Sequence, residues 1–222
     1  MPEIVIGFFE SQYAKKIKEI YFPEETFRLY TGHKVETGTI EYKGKEIGFF
    51  QSDIGGPAAV SLLENVISRG GEKILFFGSC GCLNSAIPKG HIIVPEAAYR
   101  DEGTSYHYAP ASDFIDVPTA ERLSQILNEI SVPNIKTRTW TTDAIFRETN
   151  DLIARRKEEG CSTVEMECAS IMACAGFREK EVYQFLYTAD YLDGAYDPSL
   201  LMNSKDLTER ILEIALETAI RL

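Results

Sequence analysis

The chain has 222 residues, 44% of them hydrophobic and 26% charged, with 23 Lys plus Arg against 34 Asp plus Glu and a net charge of −11. Such a length makes one domain, or two small ones at most, and buries roughly 70% of the surface of the unfolded chain. The acidic balance argues against a general grip on nucleic acid or an anionic membrane, and leaves room only for a local basic pocket that holds a small anion.

No stretch approaches about 18 uninterrupted apolar residues, and Glu3 and Glu10 beside a short apolar run do not read as a signal peptide; a cytoplasmic location is the expectation. The five cysteines, Cys80, Cys82, Cys161, Cys168 and Cys174, contain one C-x-C and no second pair, and His33, His91 and His107 are scattered singly. A structural zinc needs four clustered ligands. No metal is expected, and the thiols read as reduced and mostly buried.

No linker, repeat or low-complexity tract divides the chain, so one domain over 1–222 is expected. Ile4–Phe9 reads as a buried strand, and Ser11–Ile20 as a helix with Ala14, Ile17 and Ile20 on one face. Thr39–Tyr42 and Ile47–Gln51 flank a hairpin-like turn at Lys43-Gly44-Lys45. Pro57 suits the first turn of a helix that Gly70-Gly71 should stop. Lys73–Phe77 is an apolar strand ending in the turn Gly78-Ser79-Cys80-Gly81, and His91–Val94 is another strand. A helix over Thr119–Ile130, a strand over Lys136–Thr141 and a polar helix over Asp151–Glu159 follow. Val164–Glu167 reads as a short strand leading into a helix through Cys174, and Val182–Tyr187 as a further strand. Leu207, Ile211, Ile214, Ala215 and Thr218 mark the buried stripe of the last helix.

Strands alternating with helices, many strands being apolar on both faces, imply an α/β domain with a central twisted, mostly parallel mixed sheet flanked by helices. Ligands bind such sheets beyond the carboxyl ends of the strands. The segments after Phe9, Phe77, Thr141, Glu167 and Ala189 are therefore where a site is sought. After Phe77, Gly78 and Gly81 can turn backbone N–H groups toward an anion, and Ser79 adds a hydroxyl; a plain tight turn explains the same glycines. Glu165 and Glu167, one residue apart in a strand, point to one face, where a carboxylate can accept from two adjacent sugar hydroxyls; acids that favour a helix dipole are the alternative. Asp190 ends an apolar run beside Tyr187 and Tyr191, so desolvation can raise its pKa and make it a general acid; a turn or capping Asp is the alternative. Arg100–Tyr108, polar and aromatic, is an exposed loop or the lining of a site for a flat heterocycle.

Taken together and in this order, the segments resemble the nucleoside phosphorylase family of uridine phosphorylases and hexameric purine nucleoside phosphorylases. Ser52-Asp53-Ile54-Gly55-Gly56-Pro57 resembles its glycine-rich turn, Gly78-Ser79-Cys80-Gly81 its phosphate-side turn, and Lys89-Gly90-His91-Ile92-Ile93-Val94 the strand that follows. Arg100–Pro110 resembles the uridine phosphorylase loop, Thr141-Thr142-Asp143-Ala144-Ile145-Phe146 the base-stacking segment, and Val164-Glu165-Met166-Glu167 the ribose-binding signature. The resemblance implies that Glu167 binds the ribose hydroxyls with Glu165 and Met166 in support, and that Ser79 and Gly78 meet phosphate. It implies that Phe146, or Ile145 one residue earlier, stacks on the base, and that Asp190 protonates a leaving purine. Phosphorolysis to free base and ribose 1-phosphate is the leading expectation, with inorganic phosphate as co-substrate and no cofactor, on a homodimer or a trimer of dimers.

Where the family holds phosphate with arginines, this chain places Tyr13, His33 and Phe76. Each missing contact is worth about 1.5–3 kcal/mol. Arg100 and Arg147 are the candidates to supply positive charge instead. A hydrolytic branch resembling methylthioadenosine nucleosidase, with Glu10 where a water-activating base is sought, is the alternative, as is a nucleoside-binding protein without chemistry.

Overall fold

A strand that is apolar on both faces must lie inside a covered sheet, and the first strand, β1 (Ile4–Phe8), does so with every residue buried. In a computed structural model of the chain, residues 1–31, 33–192 and 205–222 are described. After β1 come α1 (Ser11–Tyr21), the two-residue strands β2 (Tyr30–Thr31) and β3 (His33–Lys34), the hairpin β4 (Thr37–Tyr42) and β5 (Lys45–Gln51), and α2 (Gly56–Ser68). Next are β6 (Lys73–Cys82), β7 (Ile92–Asp101), a 3-10 turn over Thr104–His107, β8 (Phe114–Asp116), α3 (Ala120–Glu129) and β9 (Asn134–Thr142). A second 3-10 turn over Ile145–Arg147 precedes α4 (Asn150–Glu158), β10 (Cys161–Glu165), α5 (Cys168–Phe177), β11 (Val182–Tyr191) and α6 (Lys205–Ala219).

The main sheet has nine strands in the order β10-β9-β7-β11-β6-β1-β5-β4, with β8 beside β7. Its inner pairings, β5–β1–β6–β11 and β7–β9–β10, are parallel, whereas β11–β7, β4–β5 and β7–β8 are antiparallel. β10 also pairs with β6 through Thr163↔Cys82 and Val164↔Gly81. The half made of β6, β11, β7, β9 and β10 thereby closes on itself as a small barrel, and the ends of its strands converge. On neighbouring strands, Phe77 stacks on Phe185 at 5.5 Å between centroids and meets Phe8 at 5.6 Å with the rings tilted by 47°, and the three anchor the core. All five cysteines are buried and free of disulfides.

Most predicted elements are present with shifted ends. The hairpin turn is the two residues Lys43 and Gly44, both at positive φ (50° and 77°), the geometry that matches strand twist. Ile20 is 46% exposed rather than part of the α1 stripe that buries Ala14 and Ile17. Gly78–Gly81 is not a turn: β6 runs through it to Cys82, because β11 continues alongside and supplies ladder partners as far as Tyr191. The strand before α5 stops at Glu165, so Glu165 and Glu167 do not share a strand face; Glu167 is the N-cap of α5. Among the described residues no helix is long and apolar enough to cross a membrane, and no group of His, Cys, Asp or Glu is arranged to hold a metal ion.

Candidate active site

Parallel strands leave backbone N–H groups without ladder partners where a neighbour ends, and the site is built on such an ending. β1 pairs with β6 only as far as Phe8↔Phe77. Two residues further along β6, the Ser79 N–H donates instead to Glu10 Oε1 at 2.8 Å. Tyr187, opposite Ser79 on β11, donates its hydroxyl to the same oxygen at 3.1 Å. Gly78 permits this closure, since a Cβ there would lie 2.7 Å from the Phe9 ring and 3.7 Å from Glu10 Oε2. The glycine therefore serves close approach of the chain after β1 rather than a turn.

Around this point the ends of β1, β6, β10 and β11, the loop before α2 and the turn after β9 enclose a cavity of about 290 Å³. Its acidic wall consists of Glu10, Glu148, Glu165, Glu167 and Asp190; its apolar wall includes Phe9, Ile54, Ile145 and Met166; among the described residues no Lys or Arg lines it. A larger cleft of about 530 Å³ against α5, lined by Tyr108, Met172, Phe177 and Tyr183 among others, brings together no comparable set of acids.

The two glutamates before α5 divide their work. Glu165 folds back over the helix start, accepting the Glu167 and Cys168 N–H groups at 2.7 and 2.6 Å and the Thr141 hydroxyl at 2.5 Å. Thr141 in turn accepts the Ala169 N–H at 3.0 Å. The Glu165 side chain thus satisfies the first N–H groups of α5 and braces the site. Glu167 accepts the Gly55 N–H at 2.6 Å and the Met166 N–H at 3.3 Å, which ties the loop before α2 to the N-terminus of α5. Burial raises the pKa of both; their mutual charge adds to this for Glu167, while the N–H and hydroxyl donors pull back. Asp190 is half-buried just past a bulge in β11; burial raises its pKa against the opposing effects of its own N–H and Lys89. Glu148 faces the same cavity with its pKa pushed up to about 7 by burial and by the charge of Asp190.

The structure brings together Ser79, Glu165, Met166, Glu167, Asp190 and Ile145. Phe146 does not join them: it is 97% exposed, because successive side chains of a 3-10 turn splay about 120° apart, and Ile145 faces the cavity in its place. Arg147 is exposed and outside the lining. The expectation that Arg100 contacts an anion is corrected. Arg100 is 4% exposed and gives its donors to Ser105 Oγ (2.8 Å), Pro110 O (2.5 Å), Ser112 Oγ (3.0 Å) and Ala109 O (3.3 Å), with Tyr106 stacked on it at 4.0 Å. It staples its own loop, which docks on α5 where Ser170 donates to Glu102 at 2.5 Å, and none of residues 100–110 lines the cavity. Arg100→Met is accordingly expected to destabilise the fold by about 2–3 kcal/mol, read as a lower denaturant midpoint. Tyr13 and Phe76 are buried in the core, and the side chain of His33 lies outside the described residues. Three participants were not singled out for their present roles: Glu148, Tyr187, and Glu10 as the group that fills the Ser79 cradle. Glu148 and Glu10 do fall in the segments after Thr141 and Phe9.

The acids thus converge at the strand ends of the small barrel, beside the start of α5. The family model of the phosphorylase superfamily matches residues 3–221, and the chain belongs to that superfamily. It is 30% identical over 141 residues to the uncharacterised protein R802 of Acanthamoeba polyphaga mimivirus, a match spanning 63% of this chain and 54% of the viral one. It is 26% identical to guanosine phosphorylase of Halorubrum lacusprofundi, over 79% of this chain and 76% of that protein. Among solved structures it superposes on purine nucleoside phosphorylase of Toxoplasma gondii in complex with immucillin-H (TM-score 0.82, 16% identity, 100% of this chain and 91% of that one). Uridine phosphorylase of Vibrio fischeri gives a TM-score of 0.81 at 22% identity, covering 99% of this chain and 92% of that one. At those identities the two structures establish the fold.

Proposed function

We propose that the protein cleaves the N-glycosidic bond of a purine-type nucleoside and that water, rather than phosphate, takes the sugar. The observation that carries this reading is the Glu10 carboxylate on the Ser79 N–H, in the cradle where the resemblance puts phosphate. An anion brought there meets a fixed negative charge; two such charges 4 Å apart repel by about 4 kcal/mol at an effective dielectric near 20. Phosphate sites normally answer the anion with charge-assisted donors, and the lining offers no Lys or Arg among the described residues.

In this reading Glu167 accepts hydrogen bonds from the ribose hydroxyls, Met166 packs on the sugar, and Ile145 borders the base. Asp190, its pKa raised by burial, gives its proton to a ring nitrogen of the purine as the C–N electron pair leaves with the base. Glu10 takes a proton from water, whose oxygen bonds to C1′, and the acids surrounding the sugar stabilise its developing positive charge. Solvent restores both protonation states, and no cofactor enters. Ile54 and Ile145 at the cavity, with Phe146 beside them, expose apolar surface that a second copy of the chain would cover, in keeping with a homo-oligomer.

The names of relatives, guanosine phosphorylase and purine nucleoside phosphorylase, favour phosphorolysis as the second reading. Release of free base from adenosine, inosine and uridine, measured with and without phosphate, separates the two. Purine release at full rate in phosphate-free buffer is expected. Strict dependence on phosphate would favour the second reading, faster cleavage of uridine would refute the purine assignment, and no release at all would leave only a binding function. For the sugar, Glu167→Gln is expected to lower kcat/KM for a ribonucleoside roughly 10–100-fold and for its 2′-deoxy analogue distinctly less. Equal losses would remove Glu167 from the ribose site.

A further inference from the structure

Two helix starts meet beside the cavity. Gly55 caps α2 and gives its N–H to Glu167 Oε1 at 2.6 Å, and Glu167 caps α5. At the first residue of α2, Gly56 lies against Ser170, three residues after Glu167 in the first turn of α5. A Cβ at Gly56 would come within 2.9 Å of Ser170 Cβ and closer still to its hydroxyl oxygen. Ser170 is fully buried, and its hydroxyl donates to Glu102 Oε2 at 2.5 Å. Glu102 is itself buried and is fixed by the Ser105 N–H at 3.0 Å and by the Ser105 hydroxyl, which in turn accepts the Arg100 Nε–H at 2.8 Å.

Each Glu167 oxygen accepts one N–H, from Gly55 on Oε1 and from Met166 on Oε2 at 3.3 Å. A carboxylate oxygen accepts about two hydrogen bonds, so one place is left on each, which suits the two neighbouring hydroxyls of a ribose. The Gly55 N–H sets where those places point, and the approach of α2 to α5 sets where that N–H lies. We infer that Ser170 is a positioning residue: held by Glu102, it fixes the approach of Gly56 and with it the Gly55 N–H that orients Glu167 for the ribose hydroxyls. Ser170, Gly56 and Glu102 do not line the cavity, so they act on a substrate only through groups that do. This rests on Glu167 as the ribose acceptor and holds whether water or phosphate takes the sugar.

The test is Ser170→Ala, with base release from adenosine and 2′-deoxyadenosine measured in phosphate-containing buffer. Glu102 keeps its bonds from Ser105, so the variant is expected to fold. Its kcat/KM is expected to fall about tenfold for adenosine and less than about threefold for the deoxynucleoside. In a Glu167→Gln background, where the bond to ribose is already weakened, the same substitution is expected to cost little further, whereas a residue needed only for packing would cost the same in both backgrounds. Gly56→Ala presses on the same contact from α2 without removing a hydrogen-bonding group. It is expected to lower the preference for ribose over deoxyribose likewise, and it serves if the Ser170 variant does not fold. Equal losses on the two nucleosides, or equal losses in the two backgrounds, overturn the role of Ser170 and leave the cleavage reading standing. A Glu167→Gln variant that keeps the wild-type preference for ribose, or a wild-type protein that releases no base, overturns it together with the reading of Glu167.

Discussion

Glu10→Gln is expected to lower phosphate-free base release about 10²–10⁴-fold, the usual worth of a general base. The amide keeps an oxygen that can accept the Ser79 N–H and the Tyr187 hydroxyl, so the local fold is expected to hold, and unfolding midpoints should stay near wild type. What is lost is the ability to take a proton from water. The substitution also removes the fixed negative charge from the cradle. Phosphate should therefore bind the variant better than it binds the wild type, an effect that titration calorimetry reads directly. A variant that hydrolyses as fast as wild type would show that Glu10 is merely a filler of the Ser79 N–H.

Asp190→Asn is the second large effect. In the proposed reaction the carboxylic acid of Asp190 donates a proton to the departing purine, and an amide of the same shape is far too weak an acid to do so. A loss of about 10²–10⁴-fold in kcat is expected, with KM nearly unchanged because the side chain's share of ground-state binding is small. The loss should shrink for a substrate whose leaving group needs no proton, such as a nitrophenyl riboside. An equal loss on both substrates would assign Asp190 to binding or structure, and a fully active variant would remove it from the reaction. Glu148, near enough to raise the pKa of its own carboxyl through the charge of Asp190, is the neighbour to hold constant in that comparison.

The alternation of apolar strands and helices was enough to read the α/β sheet and to direct attention to the segments after Phe9, Phe77, Thr141, Glu167 and Ala189, all of which border the cavity or lead to it. The closure of β10 onto β6 was not legible, because it depends on the distant pairs Thr163↔Cys82 and Val164↔Gly81, which local pattern does not encode. The same long range hides the key contact of the site. Glu10 and Ser79 are 69 residues apart, and Glu10 and Tyr187 are 177 apart. Glu10 could be named as an alternative base from its place at a strand end, but its bond from the Ser79 N–H exists only once β1 stops short of β6. Arg100 misled for a related reason: charge alone does not reveal that its donors go to Ser105, Ala109, Pro110 and Ser112. The Gly78–Gly81 stretch misled through composition, since its glycines serve close packing in a continuous strand.

The most direct measurement is the identity of the sugar product. Wild-type protein is incubated with adenosine in phosphate buffer, and the reaction is followed by phosphorus NMR alongside an assay for free adenine. With Glu10 in the cradle, adenine should accumulate while inorganic phosphate stays constant and no ribose 1-phosphate resonance grows in. Ribose 1-phosphate appearing in step with adenine would contradict water as the acceptor and would mean that Glu10 yields its place to phosphate.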